Sequence, residues 1–147
     1  MKTKSNPGRR KPVYFTLGAD YERRMARLEA AFRRPRADLA REWAQERLDL
    51  VDFPCLEFRT ASGGRFAVVR GTRLSVWQIA SLARSLGWGE DLARHLGVLL
   101  EVVRSAEGYY RRHRREIEAL VEDNDRTGFE EVKRKFPGLR RLDEISP

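Results

Sequence analysis

The sequence contains one cysteine, Cys55, and this scarcity excludes an internal disulfide. A single thiol fits a reducing compartment, so a cytoplasmic location is expected. Long apolar runs are also missing: none approaches the ~20 residues needed to cross a bilayer, and no membrane partner is expected. The basic start, MKTKSNPGRRK, leads into a strand-like pattern and not into the apolar run of a signal peptide. We therefore expect a soluble intracellular protein.

Signatures of catalysis and metal binding are equally scarce. The sequence has no phosphate loop, dinucleotide fingerprint or serine elbow. His95 and His113 have no cysteine partner, and Asp91, four residues before His95, is a weak match to metal-ligand spacing. Cys55 lies between Pro54 and a strand-like stretch, where we expect a small buried hydrophobe. The sequence predicts no enzyme, no metal site and no cofactor.

Lysine is rare among the basic residues, and the basic charge is unevenly distributed. Five of the 30 basic residues are Lys and the other 25 are Arg. Arginine binds phosphates and base edges bidentately, although a GC-rich coding genome produces the same bias. Residues 1–49 carry 13 basic and 7 acidic side chains, residues 50–125 carry 11 of each, and residues 126–147 carry 6 and 4. The first fifty residues are therefore expected to meet a polyanion, the alternative being a solvated charged surface.

The first fifty residues divide into an arm, a strand and two helices. Residues 1–10 combine basic residues with Ser, Asn, Pro and Gly and contain no acid, which is typical of a flexible basic arm. The next stretch, KPVYFTLG, alternates in the manner of a half-buried strand and needs a partner for its backbone groups. A helix capped by Asp20 follows, then a second helix that begins near Pro35 and is closed by Pro54.

The remainder of the chain predicts a hairpin followed by helices. CLEFRT and RFAVVRGT flank ASGG, where Gly63 or Gly64 supplies a positive φ angle. Helices are predicted over Ser75–Leu86 and Glu90–Leu96, with Gly97 ending the second. A long helical pattern from residue 99 to residue 121 is weakened by Gly108 and interrupted near residues 112–114. Residues 126–147 are less regular, with a short helix over residues 129–136 before a tail.

The order strand, helix, short turn, helix resembles the ribbon-helix-helix proteins. The resemblance covers about forty residues and rests on VYFTLGADYERRMARL followed by RPRADLAREWAQERL. It implies that the strand pairs antiparallel with the same strand of a second chain, giving a homodimer or a higher even oligomer. It also implies that the two-stranded ribbon enters the major groove of an operator in double-stranded DNA.

The same resemblance assigns roles to individual residues of the strand. The side chains on one face, Val13, Phe15 and Leu17, are expected in the dimer core. The expected DNA contacts lie on the opposite face of the strand and beside it, and backbone N–H groups near Arg36 are expected to meet a phosphate. The residues are Lys11, Pro12, Tyr14, Thr16 and Arg36. Typical base readers are Arg, Gln or Asn, and this face of the strand carries none of them. Discrimination between DNA sequences is therefore expected to be weaker, or to depend on the arm. The open alternative is a strand that pairs with the later hairpin and contacts no groove.

A second resemblance covers about seventy residues of the middle of the chain. LEFR, RGTRLSVWQIA and VVRSAEGYYRRHRREIEAL are similar to a bacterial domain of unknown function (DUF four-thirty-three), some of whose members are VapB-type antitoxins. The resemblance implies a homeodomain-like helix-turn-helix and, for many members, a partner toxin with a PIN-type ribonuclease fold. The second helix of that motif opens Leu99-Leu100-Glu101 and the segment is net neutral, which favours dimerisation or partner binding over DNA reading.

The C-terminal tail is the predicted toxin contact. Its apolar residues would anchor on the toxin, and its arginines would reach an acidic metal site; the set is Phe136, Leu139, Arg140, Arg141 and Leu142. The alternative is a helix end that folds back on its own domain.

These observations predict a mainly α protein with short β elements, divided into an arm (1–10), a ribbon-helix-helix domain (11–52), a helix-turn-helix domain (53–125) and a tail (126–147). The expected function is that of an antitoxin-like regulator that represses its own operon and neutralises a ribonuclease. The alternatives are a dimeric repressor without a toxin and an RNA-binding scaffold.

Overall fold

The computed structural model describes residues 12–61 and 64–135 of the chain, which are mainly helical with one β-hairpin. The described residues form two compact units that meet in sequence between Ala44 and Gln45. This division falls inside a helix, eight residues before the predicted boundary at residue 52.

The first unit contains an irregular segment and two helices. Residues 12–18 belong to no helix or strand, and α1 follows over Ala19–Phe32. The N-cap is Gly18 with no side-chain bond, so the sequence-based assignment of the cap to Asp20 is wrong: Asp20 lies in the first turn and pairs with Arg23. The second helix, α2, spans Arg36–Asp52 and starts directly after Pro35 as predicted.

The second unit opens with the predicted hairpin. Strand β1, Leu56–Ala61, pairs antiparallel with β2, Gly64–Val69, and places Leu56 opposite Val69. Gly64 has a φ angle of 127°, which satisfies the requirement for positive φ at this turn. The sheet has these two strands and no third among the described residues.

Four helices complete the second unit. Helix α3, Val76–Leu86, begins at a capping box in which Ser75 and Gln78 bond reciprocally. Helix α4, Glu90–Leu96, ends at Gly97 in the left-handed conformation, with φ 67°. Helix α5 spans Leu100–Arg112 and α6 spans Arg114–Lys135, which confirms the predicted interruption near residues 112–114.

Helix α6 is longer than the sequence pattern indicates. It continues without a break through residue 126, where the tail was expected to begin, and includes most of the short helix predicted over residues 129–136. Among the side chains of α6 that the structure describes, Ile117 and Val121, near its start, are the buried ones.

The hydrophobic core lies in the second unit, between the hairpin and the four helices. Fully buried side chains come from every layer: Leu56, Val76, Ile79, Leu92, Val103 and Val121. In the described part of the first unit, the only buried residue is Leu39. The two units therefore differ sharply in how much apolar surface a single chain covers.

Candidate nucleic-acid interface

The segment predicted to be a strand leaves both of its faces exposed in a single chain. Val13 is 84% exposed, Tyr14 is 88% exposed and Phe15 is 63% exposed. Pro12 and Thr16 are also exposed, whereas Leu17 is half-buried. Apart from Leu17, the alternation of apolar and polar side chains therefore corresponds to no difference in burial within one chain.

The apolar stripe of α1 is also incompletely covered. Tyr21 is 62% exposed and Phe32 is 54% exposed, while Met25 and Leu28 between them are half-buried. Helix α1 has no fully buried residue at all. An amphipathic helix in a folded protein normally packs its apolar stripe against another element, so this stripe lacks most of the expected cover.

A carboxylate from α1 lies at the start of α2. The Oε1 atom of Glu29 accepts a hydrogen bond from the backbone N–H of Arg36 at 3.3 Å, and its Oε2 atom accepts one from Nε of Arg36 at 3.1 Å. Arg34, in the connection between the helices, pairs with Glu42 at 2.6 Å. The carboxylate of Glu29 therefore occupies the position at the start of α2 where a DNA phosphate was expected. A negative charge is favourable there, as it is at the start of any helix.

The two helices predicted on either side of Gly97 are present in the second unit. Helices α4 and α5 are joined by Gly97, Val98 and Leu99, and the side chain of Leu99 is 72% exposed. The exposed position at the start of α5 is therefore occupied by a leucine, beside the exposed Glu101. An apolar and an acidic side chain at this location are consistent with a protein partner and unfavourable for phosphate contact.

Helix α2 carries a row of acids that the sequence analysis did not identify. Glu46, Asp49 and Asp52 are spaced three residues apart and pair with cations distant in sequence. Glu46 forms a bidentate pair with Arg65 of β2, with Nε to Oε1 at 2.5 Å and Nη2 to Oε2 at 2.7 Å. These pairs attach the C-terminal end of α2 to β2 and α5, all within the second unit.

Asp49 is the buried member of this row and has two basic neighbours. Its Oδ1 atom accepts from Nη1 of Arg112 at 3.0 Å, and its Oδ2 atom lies 2.9 Å from Nε2 of His113. Despite this short distance, Nε2 of His113 has no hydrogen-bond partner within the described part of the chain. Nη1 of Arg112 also donates to Asp52 at 2.6 Å.

The sequence pattern does not reveal this cluster. In the structure, His113 lies beside the acidic Asp49, and Arg112 is bound to two carboxylates. The hydrogen bonds to Asp52 and Asp49 raise the pKa of Arg112 above its ordinary value. Burial raises the pKa of Tyr109, whose ring stacks on His113 with centroids 4.3 Å apart.

The remaining predicted sites lie outside the described residues. They are Lys11 and the five tail residues assigned to toxin binding. Across residues 12–61 and 64–135 there is no group of three or more His, Cys, Asp or Glu side chains arranged to hold a metal ion, and no helix is both long and apolar enough to cross a membrane. Comparison of the chain with protein-family models, curated proteins and solved structures finds no match.

Proposed function

We propose that the chain is a dimeric DNA-binding regulator of the ribbon-helix-helix type, with an antitoxin-like second unit that neutralises a PIN-type ribonuclease. The observation that carries the first part is the uncovered apolar surface of the first unit. Val13, Phe15, Tyr21 and Phe32 are each more than half exposed, and one described residue of this unit is buried.

A second copy of the chain is the partner that best covers this surface. Burial of apolar area contributes roughly 25 cal/mol per Å², so three exposed aromatic rings represent a large unrealised stabilisation. Pairing of residues 12–18 with the same residues of the second copy also satisfies their backbone groups. A two-fold axis makes both effects reciprocal, because each chain supplies the same surface.

The DNA part of the proposal is supported by charge and by side-chain position. The basic excess of the chain is concentrated in residues 1–49. Tyr14 and Thr16 are exposed, and in an extended strand they would lie on the face opposite Val13, Phe15 and Leu17. In a paired ribbon this face is free to enter the major groove, where a two-stranded ribbon fits.

The toxin part of the proposal rests on the family resemblance of the second unit. The neutral charge of residues 50–125 and the exposed Leu99 support a protein partner for this unit. Deleting residues 137–147 is expected to abolish co-purification with the toxin while leaving DNA binding intact. The alternative, a dimeric repressor without a toxin, is favoured if the gene next to this one encodes no PIN-type nuclease.

Phe15→Pro tests the dimer directly. Proline cannot donate a ladder hydrogen bond, and the substitution also removes an apolar ring from the ribbon, so the dimer is expected to dissociate. Multi-angle light scattering measures the mass of both proteins at micromolar concentration. Thr16→Val, which keeps the backbone donor, is the matched control and retains the dimer. A wild-type protein that is well folded and monomeric would contradict the ribbon-helix-helix assignment.

A further inference from the structure

Three arginines are concentrated where α1 connects to α2. Arg33 and Arg34 belong to the connection, and Arg36 is the first residue of α2. All three are exposed. Basic side chains in an exposed connection of a DNA-binding domain would ordinarily contact phosphates, because most hydrogen bonds between proteins and DNA go to phosphate and sugar oxygens. In this chain, two of the three arginines already have acidic partners.

The acidic partners come from the helices on either side of the connection. Glu42 of α2 lies 2.6 Å from Nη2 of Arg34. Glu29, in the last turn of α1, uses both carboxylate oxygens on Arg36: Oε1 accepts from the backbone N–H at 3.3 Å, and Oε2 accepts from Nε at 3.1 Å. Arg33, by contrast, forms no ion pair with any described residue. The charge of Arg33 is therefore the uncompensated one at this connection.

The contact between Glu29 and Arg36 is the one that bears on DNA binding. A carboxylate in this position makes the contacts that a phosphate would make, because both are anions that accept hydrogen bonds from N–H donors and pair with a guanidinium. The guanidinium is accessible to a competitor, since the side chain of Arg36 is 58% exposed. A phosphate that displaced Glu29 would, however, leave the freed carboxylate within a side-chain length of the DNA backbone, where the two like charges repel.

We propose that Glu29 is an internal competitor of DNA phosphate, which keeps Arg36 out of contact with the DNA backbone in the wild-type protein. This inference rests on the proposed DNA-binding function and adds a restraint on it. A phosphate contact strengthens binding to every sequence alike, whereas the ribbon carries the residues expected to read bases. Masking Arg36 therefore lowers the affinity for all duplexes without altering those base contacts.

Glu29→Gln tests the proposal by removing the competing charge. Glutamine keeps a side-chain oxygen that can accept from the backbone N–H of Arg36, so the start of α2 is expected to stay intact. One new phosphate contact per chain raises the magnitude of the salt slope by about two for a dimer. Lowering the salt concentration from about 200 mM to about 50 mM is then expected to strengthen binding to a random-sequence duplex about twelvefold more in the variant than in wild type. Fluorescence anisotropy with the full-length chain measures this difference.

Glu22→Gln is the matched control. Glu22 lies on α1 seven residues before Glu29, which places it on the same face of the helix, and it is exposed without an ionic partner among the described residues. The substitution removes the same charge from each chain and releases no arginine. It is expected to leave the salt slope at the wild-type value, which separates a general effect of net charge from the release of Arg36.

Arg36→Gln identifies the residue that is released. Alone, it is expected to leave the salt slope unchanged, because Arg36 makes no phosphate contact in the wild-type protein. Combined with Glu29→Gln, it is expected to abolish the increase in salt slope that Glu29→Gln causes.

Two results overturn the proposal while the wild-type protein still binds DNA. One is an equal salt slope for Glu29→Gln and Glu22→Gln. The other is a slope for Arg36→Gln that is smaller than that of wild type by about two. If the wild-type protein binds no duplex even at about 50 mM salt, the proposed function fails and this inference fails with it. The same titration therefore distinguishes the two failures.

Discussion

Gly108 shows how one residue can have opposite meanings in sequence and in structure. In the sequence it weakens a helical pattern, because glycine is a poor helix former. In the structure it lies in the middle of α5, and a Cβ atom there would meet Cε1 of Phe53 at 2.8 Å. Phe53 in turn contacts Tyr109 edge-on, with ring centroids 5.8 Å apart, and lies under the guanidinium of Arg112. A side chain at this position would therefore force the ring of Phe53, which follows α2, to shift.

Gly108→Ala is therefore expected to destabilise the protein although alanine favours helix formation. We expect the free energy of unfolding to fall by about 1–3 kcal/mol, the usual cost of overpacking. Urea denaturation followed by circular dichroism measures this change. Adding Phe53→Leu to Gly108→Ala shortens the side chain and is expected to make the effect of Gly108→Ala smaller than it is in the wild-type background. A stabilising Gly108→Ala substitution would show that the ring moves aside at no cost.

At the scale of elements, three helices of the second unit meet at Glu118. This α6 residue accepts hydrogen bonds from the hydroxyl of Tyr110 on α5 and from Nη2 of Arg84 on α3, the latter at 2.5 Å. The bond from Tyr110 and then the bond from Arg84 lower the pKa of Glu118 below its ordinary value. The hydrogen bond that Tyr110 donates to Glu118 also raises the pKa of Tyr110, whose ring stacks on Trp88.

This carboxylate predicts a pH-dependent contribution to stability. Because the folded-state pKa of Glu118 is depressed, its contribution is present above the ordinary value of about 4.3 and is lost as the pH falls through the folded-state value. Glu118→Gln is expected to lower the free energy of unfolding by about 1 kcal/mol at pH 7, with a smaller difference below about pH 4. Thermal denaturation from pH 3 to pH 7 measures this. Glu101→Gln, at an exposed position of α5, is the control, and a pH-independent loss at residue 118 would contradict the assignment.

The elements of the second unit were predictable because their signals are local. Ser75 with Gln78, Gly97 after α4, and Gly64 of the hairpin each act within a few residues of the structure that they specify. The pairing of Asp49 with Arg112 was not predictable, because 63 residues separate them and the contact exists only after the helices pack. The continuity of α6 was missed for a different reason: residues 122–128 carry no apolar side chain that would continue the stripe of Ile117 and Val121.

For the whole molecule, the contrast between the two units is the main physical fact. The second unit buries a continuous core between a hairpin and four helices, whereas one described residue of the first unit is buried. A single chain therefore completes one of its units and leaves the other with uncovered apolar surface. Association of two chains through residues 12–18, as proposed above, would cover part of this surface in an even-numbered oligomer.

In such an oligomer, DNA affinity and sequence preference are expected to depend on different residues. Thr16 offers a hydroxyl and a methyl group to the groove, and Tyr14 offers a hydroxyl and a ring face. Thr16→Ala or Tyr14→Ala is expected to cost about 1–3 kcal/mol of binding free energy at the operator and little on random DNA, since one base contact is lost. Lys11→Gln is the matched control, because a phosphate contact carries no sequence information.

Lys11→Gln is expected to weaken binding to all duplexes alike. It should reduce the magnitude of the salt slope by about two for a dimer, which loses one contact per chain. Fluorescence anisotropy with operator and scrambled duplexes at several salt concentrations measures both quantities. If Thr16→Ala weakened binding equally on the two duplexes, the ribbon would orient the protein on the DNA backbone without reading its sequence, and discrimination would have to come from the arm.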